Sequence, residues 1–210
     1  AILIGKTTTS EFGCKPVGDS PLTGITRHPW DTNKTPGGSS AGAAASVAAG
    51  ITPLALGTDG GGSVRIPCAL TGLAGIKGHF GRVPVWPVSA TPTLAHVGPL
   101  ARTVADCALF ENAIAGPHPA DIVSIRPKLQ LPTLFGDIKG WKVAFSPNLG
   151  AYEVDTEVAA NARAAAEALR EGGATVEEVS LSWQRDKIWQ AMTAHFGSIM
   201  GAGINHIVNE

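Results

Sequence analysis

Paired cysteines, a long apolar run and an excess of charge of either sign are all missing from this chain of 210 residues. Its three cysteines, Cys14, Cys68 and Cys107, are odd in number and show no Cys-x-x-Cys spacing. That excludes a disulfide framework and a zinc knuckle and fits a reducing, cytoplasmic location. No apolar stretch approaches the roughly 18 to 20 residues that a membrane span needs, so a soluble protein is expected. With 16 Lys+Arg against 17 Asp+Glu the formal net charge is -1, which supplies no positive field for nucleic acid or anionic lipid. The six histidines have no metal-ligand spacing, so no metal is expected. A Gly-x-x-x-x-Gly-Lys-Ser/Thr loop is absent, as is a well-placed Gly-x-Gly-x-x-Gly with its distal acid, and nucleotide binding is therefore not expected.

What the chain has instead is glycine and proline, 26 and 15 of them, set among apolar segments as punctuation of a folded domain. Ile2-Leu3-Ile4, closed by Gly5, reads as a buried strand. Residues 13 to 38 read as a long loop. Ser39 to Gly50 reads as a helix of small residues with serines at its N-cap and a glycine at its end, buried closely against its neighbours. Pro53 to Gly57 is a short strand that runs into the turn Thr58 to Ser63. Thr103 to Ala115 starts with a Thr-x-x-Asp cap and stops at Gly116-Pro117, a clear helix. Trp141 to Phe145 and Thr175 to Leu181 read as strands around a helix from Asp155 to Arg170, which places Val158, Ala162, Ala165 and Leu169 on one face. No internal repeat is present, and strands alternating with helices point to an α/β fold. The first residues read as mid-strand and the last as mid-helix, so a domain truncated at both ends is expected over residues 1 to 210.

Two segments carry chemistry. Gly37-Gly38-Ser39-Ser40-Ala41-Gly42 and Gly57-Thr58-Asp59-Gly60-Gly61-Gly62-Ser63-Val64-Arg65-Ile66-Pro67 each set a serine beside glycines. Glycine lets backbone N–H groups approach a ligand closely, so three glycines before a serine can form a cup of donors around one oxygen. One donor aimed at a developing oxyanion contributes about 3 kcal/mol to lowering an acyl-transfer barrier. Alone, either segment is more simply read as a turn or a helix cap than as a site.

Taken together and in order, the two segments resemble the core of the amidase signature family, with Gly72-Leu73-Ala74-Gly75-Ile76-Lys77, Gly81-Arg82-Val83-Pro84 and Gly98-Pro99-Leu100-Ala101-Arg102-Thr103-Val104-Ala105-Asp106 extending the match to about residue 180. The resemblance implies an α/β fold with a mixed central sheet flanked by helices, present here as a partial domain, and a Ser–Ser–Lys triad. Ser63 matches the nucleophile. Ser39 matches the bridging serine, held in the family by a cis peptide bond, with the two hydroxyl oxygens expected at hydrogen-bonding distance. The N–H groups of Gly60, Gly61, Gly62 and Ser63 match the oxyanion hole. Ser40 is expected to hydrogen-bond near the triad as a supporting residue; Asp59 and Arg65 flank the glycine cup with opposite charges and are expected to form an ion pair that pins the loop, direct substrate contact by Arg65 being the alternative. The family's lysine lies several dozen residues before the first serine, upstream of Ala1, and Lys6 matches a different position. Ala41 stands where glycine is common, and His79 stands in Gly78-His79-Phe80 where the family carries Pro and a small polar residue.

The implied activity is cleavage of a linear carboxamide, a small-molecule substrate, to carboxylate and ammonia or amine, without metal or organic cofactor. Two alternatives stay open: a glutaminase-type subunit of a tRNA-dependent amidotransferase, and a non-catalytic scaffold retaining the fold. Family members are often homodimers, so a homodimer fits. Trp183, Trp189 and Phe196 either pack a helix or line a substrate pocket, packing being the expectation.

Overall fold

A computed structural model describes residues 2–87 and 93–208. The chain divides into two compact units, Ala1–Leu134 and Phe135–Glu210.

The first unit opens in irregular chain. Ile2, Leu3 and Ile4 are coil and largely exposed, not the buried strand expected. An apolar run becomes a strand only where a neighbour takes its N–H and C=O groups, and no described residue does so here. Asp19–Ser20 (β1) and Gly24–Ile25 (β2) form a small antiparallel ribbon.

Ala41–Ala48 (α1) is the small-residue helix, with Ala41, Ala43, Ala44 and Val47 buried. Its lack of bulk lets the backbone of Thr8 approach, and Gly42 donates to the Thr8 carbonyl at 2.9 Å. A Cβ on Gly42 would stand 2.5 Å from the Thr8 nitrogen. Leu54–Asp59 (β3) follows, then Arg65–Thr71 (α2), which ends on left-handed Gly72 (φ 69°). Ala74–Gly75 (β4), His96–Ala101 (β5) and Val104–Ile114 (α3) complete the unit. The Thr103 hydroxyl caps α3 by accepting from the Asp106 N–H at 3.1 Å.

The three strands form an antiparallel sheet in the order β3-β5-β4. The β3–β5 register runs from Leu54 opposite Ala101 to Asp59 opposite His96. Ala43 and Ala44 of α1, Val64 and Cys68 of the α2 turn, and Leu100 of β5 form the core under this sheet. Strand β5 and helix α2 carry no period of their own in the sequence. Each is short, and helix α2 contains Pro67, tolerated because proline in the first turn forfeits no helical bond.

One packing pair bears on the Gly78-His79-Phe80 segment, where the family carries Pro and a small polar residue. His79 is exposed, and the histidine packed against Gly78 is the buried His96 of β5. Gly78 donates its N–H to His96 Nδ1 at 3.2 Å, and a Cβ on Gly78 would lie 2.6 Å from His96 Nε2. A glycine at 78 therefore makes room for the imidazole and supplies a donor that proline lacks. On the far side of the ring, Nε2 faces Glu111 Oε1 of α3 at 3.4 Å.

The second unit is a strand–helix–strand arrangement. Lys142–Phe145 (β6) and Thr175–Glu178 (β7) pair in parallel, which requires the crossover that Thr156–Glu171 (α4) supplies. Asp155 caps α4 by accepting from the Glu157 N–H at 2.8 Å. The inward face of α4 is Ala159, Ala162, Ala166 and Leu169, with Val158 and Ala165 turned outward. The expected face was one step off. Positions 159, 162, 166 and 169 follow the helical 3–4–3 spacing onto Ala174 and Val176. Arg185–Val208 (α5) ends the described chain, and Trp183 and Trp189 are exposed. Among the described residues no helix is long and apolar enough to cross a membrane.

The Cys68 and Cys107 thiols both donate to the Ala74 carbonyl, at 3.4 and 3.2 Å. Burial is the main force raising them, to about 12 for Cys68 and about 11 for Cys107. Iodoacetamide at pH 8 will therefore alkylate the native protein at exposed Cys14 only, and at all three thiols in denaturant, as read by peptide mass spectrometry. Gly78→Ala forces the His96 ring to shift, and chemical denaturation should show a loss of about 1 to 3 kcal/mol.

Candidate active site

The two glycine–serine segments meet beside α1. Residues 36 to 40 are buried. Gly37 has φ 83°, and a Cβ on it would press Ile66, Leu70 and the Pro67 backbone of α2 at 3.1 Å. A Cβ on Gly38 would lie 2.6 Å from the Val17 carbonyl oxygen. The Gly38–Ser39 peptide bond is cis. The Ser39 carbonyl accepts from Thr9 Oγ1 at 2.8 Å, from the Ala41 N–H at 2.8 Å and from the Ser10 N–H at 3.4 Å. The backbone of Ser39 is thus fixed from both sides, and the residue is buried.

Ser40 is a cross-link. It occupies the N-cap position of α1 but makes no capping bond, contrary to expectation. Its Oγ instead accepts from the Thr58 N–H at 3.2 Å and donates to the Thr58 carbonyl at 3.3 Å. Its own N–H donates to the Ser63 carbonyl at 3.3 Å. A hydroxyl makes these bonds only because Gly57 has no side chain: a Cβ there would stand 2.7 Å from Ser40 Oγ. Nothing in the spacing of Ser40 and Thr58 signals this contact, nor the one from Thr9 to Ser39.

Asp59 ends β3, and its side chain is fully buried. Oδ1 accepts from the Gly62 N–H at 2.8 Å and from Arg65 Nη2 at 2.8 Å. Oδ2 accepts from the Val64 and Arg65 N–H groups, each at 3.2 Å, and from Arg65 Nε at 2.9 Å. One carboxylate thereby folds the glycine loop back on the strand and starts α2. Burial by itself would push the Asp59 carboxyl up. The Arg65 guanidinium, with the backbone N–H groups of Arg65 and Val64, more than offsets this and holds it below the usual carboxylate range.

The same bond corrects one expectation. The Gly62 N–H is already given to Asp59 and is withdrawn from the cup of free donors. Among the described residues, the loop N–H groups of Gly60, Gly61 and Ser63 have no protein acceptor. Ser63 itself is half-buried at the mouth of the loop. A direct bond between the Ser39 and Ser63 hydroxyls is likewise absent among the described residues. The bonds that are made fix the two backbones, and a serine hydroxyl stays free to turn about χ1. Lysines pair elsewhere: Lys15 Nζ with Asp19 at 3.0 Å, Lys77 Nζ with the Gly78 carbonyl at 3.2 Å.

Comparison with known proteins decides the family. The amidase family profile matches residues 1–199. The chain belongs to the amidase signature family. It is similar, at 44% identity over 187 residues, to a glutamyl-tRNA(Gln) amidotransferase subunit of Chloroflexus aggregans, covering 86% of this chain and 38% of that relative. It is equally similar, at 44% over 185 residues, to an acylamidase of Rhodococcus erythropolis, covering 87% and 39%. Among solved structures, a bacterial aryl acylamidase of the amidase signature family superposes with a TM-score of 0.91 at 34% identity, over 100% of this chain and 44% of that one. The fold is thus the mixed α/β fold of these amidases, in part: the chain spans about two fifths of the length of the relatives it matches.

In this chain the Asp59 carboxyl sits below its unfolded value, so its contribution to stability is complete above about pH 4 and is lost as pH falls through the folded value. Acid titration of unfolding should show that limb, and Asp59→Asn should flatten it. Asp59→Ala strands three N–H groups and should cost about 3 kcal/mol. Arg65→Ala removes two of the five bonds to the buried carboxylate and its counter-charge, partly replaceable by water because the Arg65 side chain is more than half exposed, and should cost about 2 kcal/mol.

Proposed function

We propose that the protein hydrolyses a carboxamide through an acyl-enzyme at Ser63, and that its two units are parts of one amidase domain, since the family match runs through both. The observation that carries this reading is the loop itself. Asp59 and Ser40 hold Ser63 by its neighbours and its carbonyl, and among the described residues the Gly60, Gly61 and Ser63 N–H groups are left without an acceptor. Unspent donors held rigid are what a tetrahedral oxyanion needs.

Ser63 Oγ attacks the amide carbon, and its proton passes to Ser39 as the C–O bond forms and the carbonyl oxygen turns into the three-donor cup. Collapse breaks the C–N bond, and the amine leaves with a proton returned through Ser39. Water then adds to the ester and releases the carboxylate. The base behind Ser39 is, on the resemblance, a lysine other than those described. The scheme calls on no metal or organic cofactor.

A second reading rests on the equal identity to the amidotransferase relative. Copurification of a partner subunit from native extract would select it over the free-standing hydrolase.

The test is made in the full-length protein. A fluorophosphonate should label Ser63, located by mass spectrometry. Ser63→Ala should abolish turnover and labelling together. Ser39→Ala keeps the nucleophile and loses the proton path, so activity should fall by about 10² to 10⁴ with slow labelling retained. The double variant should match Ser63→Ala. Near-normal amidase activity in Ser63→Ala would sink the assignment.

A further inference from the structure

A cavity of about 160 Å³ opens in the first unit, walled by Phe80, Val83, Val85, Val97 and Val123. Three polar residues also line it, and their bonding decides what it can hold. Asp121 is buried, and both its oxygens are spent, Oδ2 on the Val85 N–H at 2.9 Å and Oδ1 on the Val123 N–H at 3.0 Å. His96 commits Nδ1 to the Gly78 N–H at 3.2 Å and turns Nε2 toward Glu111 at 3.4 Å. Among the described residues the Thr58 hydroxyl makes no hydrogen bond, and neither does the buried His96 Nε2, which stands 3.4 Å from Glu111 Oε1. The cavity therefore offers mainly apolar walls, a neutral hydroxyl and an imidazole turned to Glu111, with the Asp121 carboxylate already satisfied by backbone N–H groups. A charged group entering it would lose its hydration without a partner. An apolar cavity of roughly 150 Å³ accommodates a benzene ring.

Its position gives the cavity a use. Thr58, in its wall, is bonded through both backbone groups to Ser40 Oγ, and Ser40 donates to the Ser63 carbonyl. The wall and the proposed nucleophile are thus joined through one residue. Resting on the hydrolase reading above, we propose that this cavity is the specificity pocket of the amidase and takes an uncharged aryl group carried by the substrate amide.

The experiment has a binding arm and a catalytic arm, both on the full-length protein. Fluorobenzene is titrated by ¹⁹F NMR. Saturable broadening is expected, with benzylammonium binding at least tenfold more weakly, and with at least tenfold loss of fluorobenzene affinity in Val97→Phe, which fills the cavity. Val123→Phe serves as the second filling variant, and circular dichroism melts establish that each variant is folded. In the catalytic arm, kcat/KM is compared for acetamide, benzamide and acetanilide. At least one aryl amide should exceed acetamide by tenfold or more, and a filling variant should erase that margin while acetamide turnover persists. The benzamide and acetanilide responses tell whether the ring enters from the acyl or the amine side. Fluorophosphonate labelling of Ser63 without saturable fluorobenzene binding, or an aryl preference that survives both filling variants, overturns the pocket and leaves the hydrolase reading standing. Fluorobenzene binding lost on filling, with no label at Ser63 and no amide cleaved, upholds the pocket as an aryl site and overturns the hydrolase reading instead.

Discussion

The Asp59 carboxylate accepts five hydrogen bonds in a fully buried position, and the geometry of the site follows from where those donors are forced to stand. Two arise from one guanidinium and three from the backbone of the turn that follows. A charged acceptor without water must be saturated by the protein, so the chain after β3 has no freedom to extend. It must curl, present Ser63 at the turn and enter α2. The curl also divides the loop's donors into one that is spent, Gly62, and three that are not.

Around this centre the structure is built by subtraction of side chains. Gly57 admits Ser40 Oγ to the strand, Gly42 admits the Thr8 backbone to α1, and Gly38 admits the Val17 backbone to the serine loop. Each contact is backbone against backbone or backbone against hydroxyl, at distances where a methyl group would intrude. Directional bonds made this way are short and few. They position Ser39, Ser40 and Ser63 relative to one another, the first two buried and Ser63 half-buried.

The same logic extends to the apolar cavity. Its charged lining residue and its imidazole are both turned to neighbouring backbone and to Glu111. The polar groups near the cavity serve to hold its walls, and recognition falls to shape and apolar surface.

Much of this was legible from the amino-acid sequence, and the legible part has a common cause. Helices α3 and α4 announce themselves because caps and periodicity are local, and the two glycine–serine segments because their chemistry lies in adjacent residues. Contacts between distant residues leave no such trace. Thr9 on Ser39, Ser40 on Thr58 and Gly78 under His96 join positions whose spacing means nothing along the chain. Strand β5 was hidden because its six residues include Gly98 and Pro99, and Ile2-Leu3-Ile4 read as a strand although no described residue pairs with it. The sequence by itself determined the family, the helices α1, α3 and α4 and the residue types at the loop, since each depends on neighbours in the chain. Only the tertiary structure decided which loop N–H groups remain free, how the serines are tied together and what the cavity can hold, because a hydrogen bond is assigned by distance and direction in space.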